Sequence, residues 1–230
     1  MSEPRSISSS DLRRLLVAAN EWKSFSGLRT RAVVALALGS ALRLKEICAL
    51  DLEQVIERTG KRWRIRGTAY LRAQQSKGQR TGARRWDSAG VFVITKAARI
   101  ALRRYLLCVQ ARGWIDPGSA GGPLFLTLKQ RGGAGHERLG RRACQSAWVK
   151  LQQRAQLPEH YSFHCLRHTS ITRFADTCHG NVFRVSHFAR ITTGTAQRYV
   201  HHSTDTIAEL AELAAVASSP ARARRAAAGA

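Results

Sequence analysis

With 230 residues the chain can bury one substantial core, and its 38 lysines and arginines against 15 aspartates and glutamates leave a net charge of +23. Such a surplus repels itself unless a polyanion lies against it, which points to nucleic acid; the start, Met1 to Ser6, has neither an amphipathic helix nor a lipid signal to favour a membrane. The sequence holds no apolar run of the ~18 residues a spanning helix needs and no signal peptide, and its five scattered cysteines (Cys48, Cys108, Cys144, Cys165, Cys178) lack CxxC spacing, which argues against a disulfide frame or a zinc site. The expectation is a cytoplasmic protein that binds nucleic acid, with reduced thiols in its core and neither metal nor cofactor.

Ser8, Ser9, Ser10 and Asp11 form a helix N-cap cluster, and Leu12, Leu15, Leu16 and Ala19 follow at helical spacing, so a helix begins directly after a tail of residues 1–10. The stretch from Arg29 to about Leu38 is apolar on nearly every side and reads as a buried helix; Gly39-Ser40 then breaks into a second helical segment from Leu42 to Leu50, with Arg43 at the junction. From Lys61 to Ile94 the pattern turns to short β-rich runs, Arg62 to Arg66, Thr68 to Gln75 and Val91 to Ile94, which predict a small three-stranded antiparallel sheet. The glycine-punctuated turn Ser76 to Gly82 puts Lys77 at a hairpin tip. Helix resumes over Ala97 to Val109, a Gly/Pro-rich loop spans Gly113 to Pro123, and a flexible basic stretch covers Lys129 to Arg142.

Ser162 can cap a helix from Phe163 to about Phe174, in which Phe163, Leu166, Ser170 and Phe174 make one stripe and His164, Arg167 and His168 another. Thr206 to Glu209 matches a capping box, with Ile207, Leu210, Ala211 and Ala214 on one side of a last helix, and the basic end, residues 218–230, is expected to be disordered. The fold class is therefore α+β, mostly α. Seven of the eight histidines fall between His160 and His202, and the four tyrosines are Tyr70, Tyr105, Tyr161 and Tyr199, so the last third is chemically unusual.

Three segments carry a resemblance. Gly39-Ser-Ala-Leu-Arg43-Leu-Lys-Glu46-Ile-Cys-Ala-Leu50 resembles the first-arginine segment of the tyrosine recombinases (the phage integrase family), TGLRxSExxxL; His164-Cys-Leu-Arg167-His168-Thr169 is similar to their HxLRHT box; Thr195 to His201 resembles TxxxYxH. Lys77 falls in the hairpin where that family keeps its lysine. The matches keep the family's order over roughly Leu12 to Leu213. The resemblance implies a catalytic domain over residues 11–217, without a separate N-terminal core-binding domain, that cleaves and rejoins duplex DNA through a 3′-phosphotyrosyl intermediate. It further implies a minimal recombinase of a mobile element, acting as a homo-oligomer, a tetramer, on DNA.

The chemistry asks for these residue types independently. A phosphodiester under attack gains charge on its non-bridging oxygens, which fixed guanidiniums meet with planar forks. Arg43 and Arg167 are assigned to that clamp, Tyr199 to the nucleophile, Lys77 to protonation of the leaving 5′ oxygen, and His164 to a base or phosphate ligand. Glu46 at i+3 could hold Arg43, and His168 is taken as supportive rather than catalytic. The loop before Tyr199 favours its exposure. Each residue alone has a plainer reading, as a helix-end arginine, a solvated turn lysine, a structural histidine or a half-buried aromatic. Arg80, Arg84, Arg85, Arg141, Arg142 and Arg198 are the expected DNA contacts.

One departure concerns the histidine or tryptophan that the family usually places nine residues before the tyrosine. Arg190 stands there; it is read as a stand-in donor to the phosphate, ahead of His187, twelve residues before Tyr199. Two other readings remain open at this point, a DNA-relaxing enzyme similar to type IB topoisomerases and a catalytically silent DNA-binding regulator on the same fold. The charge yields a first prediction: duplex affinity falls steeply with salt, and a plot of log K against log salt measured by fluorescence anisotropy that stays nearly flat would contradict it.

Overall fold

A computed structural model describes residues 6–59, 62–72, 90–116, 121–130 and 136–200. The buried helix foreseen in the sequence is the centre of the architecture. Helix α1 (Ser9–Glu21) is capped by the Ser8 hydroxyl, which accepts from the Asp11 amide, and α2 (Phe25–Ser40) is capped by Ser24 in the same way. Because α2 is apolar on nearly every side from Ala32 to Leu38, other elements must cover it on several sides. It packs against α1, α5 (Lys96–Ala111), α6 (Arg141–Arg154) and α7 (His164–Thr177). Ala32, Val33, Val34, Leu36 and Ala37 of α2 join Leu15, Leu102, Tyr105, Phe125, Trp148 and Leu166 in the main core.

Short helices α3 (Leu44–Ala49) and α4 (Leu52–Val55) follow α2, then strands β1 (Ile56–Thr59), β2 (Arg62–Ile65), β3 (Thr68–Tyr70) and β4 (Val91–Val93). The expected three-stranded sheet is not what forms. Among the described residues there are three separate two-stranded antiparallel ladders, β1 with β2, β3 with β4, and β5 (Leu126–Gln130) with β6 (His136–Arg138). The reason lies at Arg66 and Gly67. The Arg66 amide donates to the Val55 carbonyl, prolonging the first ladder, and the Gly67 carbonyl accepts from the Ile94 amide, opening the second. The chain thus passes from one ladder to the next without folding β2 onto β3. Strand β1 escaped the sequence reading because Glu57 and Arg58 break its apolar pattern, and the Arg64–Glu57 pair at 2.8 Å that crosses this ladder is a surface contact.

Two further expectations change. Of the stretch 129–142, read as flexible, residues 129–130 lie in β5, 136–138 in β6 and 141–142 at the start of α6, which is anchored by the buried Trp148 and Leu151, while residues 131–135 lie outside the described residues. Ser162 does not cap α7: the N-cap is Phe163, without a side-chain cap bond, and the Ser162 hydroxyl lies 3.3 Å from the Cys165 sulfur. Cys48, Cys144 and Cys165 are buried and free, while Cys108 and Cys178 are half-buried and free. Helix α8 (Val182–Ala189), α9 (Thr193–Ala196) and the 3-10 turn Gln197–Tyr199 close the described chain around a second, smaller apolar cluster of Ala41, Ile171, Ala175, Val185, Ala189, Ala196 and Tyr199. No helix among the described residues is long and apolar enough to cross a membrane.

The start of the chain is tied to the region before α7 by Tyr161, whose buried hydroxyl donates to Asp11 Oδ2 at 2.7 Å. Tyr161→Phe leaves that buried carboxylate short of a donor and should cost about 1–3 kcal/mol in urea unfolding, while a loss under ~0.5 kcal/mol would show the tie to be dispensable.

Candidate active site

Helix α2 ends at Ala41, which takes the left-handed conformation at φ 48° and turns the chain into α3. That turn leaves the carbonyls of Ser40 and Ala41 without helical partners, at the negative end of the helix dipole. Two arginines occupy them. Arg167, on α7, donates to Ala41 O and, at 2.7 Å, to Ala189 O at the end of α8. Arg190, itself left-handed at φ 53° just past α8, donates to Ser40 O at 3.1 Å, Ala41 O at 3.2 Å and Phe188 O at 3.2 Å. Both side chains are buried, and Arg190 Nε has no partner among the described residues.

Arg43, the N-cap of α3, completes a third cationic group. Its guanidinium donates to Glu46 Oε1 at 2.9 Å while its own amide donates to Glu46 Oε2 at 2.7 Å, so the carboxylate one turn along fixes both backbone and side chain. Glu46 is only 1% exposed and lies 4.0 Å from Arg190 Nη2, and it is the one carboxylate paired with this cluster in the described residues. Burial, with Arg43 and Arg190 adding to it and Glu46 opposing, lowers the Arg167 pKa to about 9. Arg167 therefore stays charged at neutral pH, and three guanidiniums face one carboxylate. Arg167 spends two of its five N–H donors on carbonyls and keeps the rest for another acceptor.

Tyr199 differs from the expectation of exposure. It is 8% exposed, because Ala196, Val185 and Ile171 close around its ring in the smaller core cluster. Its hydroxyl lies 2.6 Å from His168 Nδ1, and the two rings stack with centroids 5.6 Å apart. Burial raises the phenol pKa, and Arg167, Arg43 and Arg198 act against that rise. Burial, then His164 and Arg167, depress the His168 pKa to about 4, so that imidazole is neutral at pH 7 and can accept the phenolic proton. His164 is exposed one turn earlier, its ring 4.5 Å from that of His168 and edge-on to it. With Arg167, Leu42, Leu44, Gln145, Ser162 and Phe163, it lines an open pocket of about 190 Å³.

The site thus brings together Arg43, Glu46, His164, Arg167, His168, Arg190 and Tyr199. His187 stands apart: it is exposed, and its ring forms no hydrogen bond with the cluster among the described residues. Arg141, Arg142 and Arg198 are exposed. Lys77, Arg80, Arg84 and Arg85 lie outside the described residues. The sequence reading missed the direct bond from Tyr199 to His168; the helical spacing of His164 and His168 was visible, but nothing in a sequence shows where a 3-10 turn 31 residues later will lie. It likewise missed the carbonyls of Ser40, Ala41 and Ala189, which residue types cannot reveal.

The phage integrase family matches residues 5–206, and the chain belongs to that family. Solved structures sharing its fold include the XerA recombinase (TM-score 0.60, 18% identity, 90% of this chain and 62% of that one). XerH site-specific recombinase bound to a palindromic difH substrate gives a TM-score of 0.62 at 16% identity, over 90% of this chain and 51% of that one. The Tn1549 transposon integrase in complex with transposon right end DNA gives 0.62 at 18% identity, over 93% and 67%. The chain therefore spans about half to two thirds of the length of these proteins. No curated protein matches it in sequence.

The depressed His168 pKa has a consequence for stability. A group whose folded pKa (about 4) lies below its ordinary value of 6.5 binds more protons unfolded, so its contribution is complete above pH 6.5 and is lost as pH falls towards 4. The groups facing it are His164 and Arg167 on its own helix and Tyr199 from the 3-10 turn. The melting temperature of the wild type should fall more steeply between pH 6.5 and 4 than that of His168→Asn; parallel curves would refute the linkage.

Proposed function

We propose that the chain is a site-specific DNA recombinase that cleaves and rejoins duplex DNA through a 3′-phosphotyrosyl intermediate, in the service of a mobile element. The observation that carries this reading is a phenol bonded to a neutral imidazole beside three guanidiniums and a single carboxylate. A partly buried cluster with that excess of positive charge suits an anion, and the phenol is the nucleophile that such an anion would meet. The family and the fold support the reading, as do the names of the neighbours, which include a recombinase on a difH substrate and a transposon integrase on transposon end DNA.

In this reading Arg43 and Arg167 hold the non-bridging oxygens, and their charges meet what develops as Tyr199 Oη attacks phosphorus and the 5′ oxygen departs. Glu46 keeps the Arg43 fork oriented. Arg190 adds charge and pins the end of α2. Lys77 supplies the proton to the 5′ oxygen. Arg141, Arg142 and Arg198, with Arg80, Arg84 and Arg85, grip the duplex backbone. Residues 11–217 form the catalytic unit, residues 218–230 a basic tail, and the active assembly is a tetramer on DNA.

A nicked duplex that traps the covalent product tests the reading. The wild type should form a protein–DNA adduct that Tyr199→Phe does not, and Arg43→Ala or Arg167→Ala should slow its formation by about 10²–10³-fold. A wild type that binds the duplex without forming an adduct would make it a silent binder. Relaxation of supercoils without recombinant products would make it a relaxing enzyme.

A further inference from the structure

Resting on the cleavage reading above, we propose that His168, rather than His164, is the base that removes the proton from Tyr199. The geometry selects it. His168 Nδ1 lies 2.6 Å from Tyr199 Oη, within the range in which a proton passes directly, whereas the His164 ring is exposed and meets His168 edge-on from one turn away. The stacking of the two rings, tilted by 24°, holds the contact from a second direction. The base sits on α7 beside Arg167, so one helix delivers both the clamp and the proton acceptor to the same phosphate.

The transfer balances. The Oη–H bond breaks and an Nδ1–H bond forms, which requires the tautomer carrying its resting proton on Nε2. The phenolate oxygen bonds to phosphorus as the P–O5′ bond breaks, and the 5′ oxygen leaves with the proton that the cleavage reading takes from Lys77. Religation runs the steps backwards: the phenolate departs from phosphorus and retrieves its proton from Nδ1.

The surrounding charges make this base conditional on substrate. In the free chain, burial, His164 and Arg167 all oppose a second proton on His168, and on the facing elements Arg43, Arg190 and Arg198 are cations against the lone Glu46. Burial is the largest of these opposing effects, and a phosphodiester bound between Arg43 and Arg167 brings a negative charge that counters the Arg167 contribution. Proton acceptance is thus easier with the scissile phosphate in place than in the free chain.

Single-turnover cleavage of the nicked duplex, with duplex affinity and thermal melting measured in parallel, tests the assignment. His168→Ala and His168→Asn should each lose about 10²–10⁴-fold in cleavage rate with affinity within about twofold of wild type. The asparagine keeps an oxygen acceptor near the position of Nδ1 without its basicity and guards against loss of fold. A duplex with sulfur in place of the bridging 5′ oxygen, whose leaving group needs no added proton, should not restore either variant. Cleavage by His168→Asn within about threefold of wild type would reduce His168 to a positioning group, and restoration by the sulfur substrate would make it an acid; either overturns the proposal while leaving the cleavage reading standing. A wild type that forms no adduct overturns both.

Discussion

Three guanidiniums, two of them buried, around one buried carboxylate are the constraint around which the rest of the structure is arranged. Isolated charges in a protein interior are costly, and here they are made tolerable by the ends of helices. Arg167 bridges the last carbonyls of α2 and α8, and Arg190 takes two carbonyls at the end of α2 and one near the end of α8. Helix dipoles, together with Glu46, supply partial negative charge in three places without filling the centre. A site assembled from main-chain carbonyls remains cationic overall, which suits it to an anion.

The same geometry explains why Tyr199 is buried rather than exposed. A phenol in water beside cations would ionise more readily and react without selection. In the smaller core cluster, desolvation raises its pKa while the arginines pull it down, and the stacked imidazole fixes its direction. Ala41 belongs to both worlds: its methyl packs in the cluster that holds Tyr199, and its carbonyl binds both buried arginines. A single left-handed residue thus couples the packing of Tyr199 to the positions of Arg167 and Arg190.

Much of this was legible in the sequence, and what was not has physical reasons. The apolar girth of α2, the Ser8 cap, the Arg43–Glu46 spacing and the HxLRHT box depend on local periodicity, which a sequence displays directly. The ladders were misjudged because β2 and β3 carry the pattern of pairing partners, yet Val55 and Ile94 compete for the backbone between them. Residues 136–142 looked flexible from their composition, but β6 forms there, and the buried Trp148 and Leu151 hold α6 that follows. The bond from Tyr199 to His168 was hidden because it depends on the path of α8 and α9, and α8 was not foreseen.

Arg190 shows how far a motif position constrains chemistry. The family's usual group there is a neutral donor, and replacing it by a guanidinium changes both charge and reach. The chain answers by turning the side chain inward, where two of its nitrogens serve the backbone of α2 and α8, and by placing Glu46 at 4.0 Å. The longer side chain thereby bonds carbonyls that a shorter histidine at the same backbone position could not all meet. Its charge still acts on the site, since it is among the groups that depress the Arg167 pKa. The guanidinium at this position therefore adds positive charge to the cluster while its donors serve the backbone, whereas Arg167 bonds two carbonyls and Arg43 pairs with Glu46.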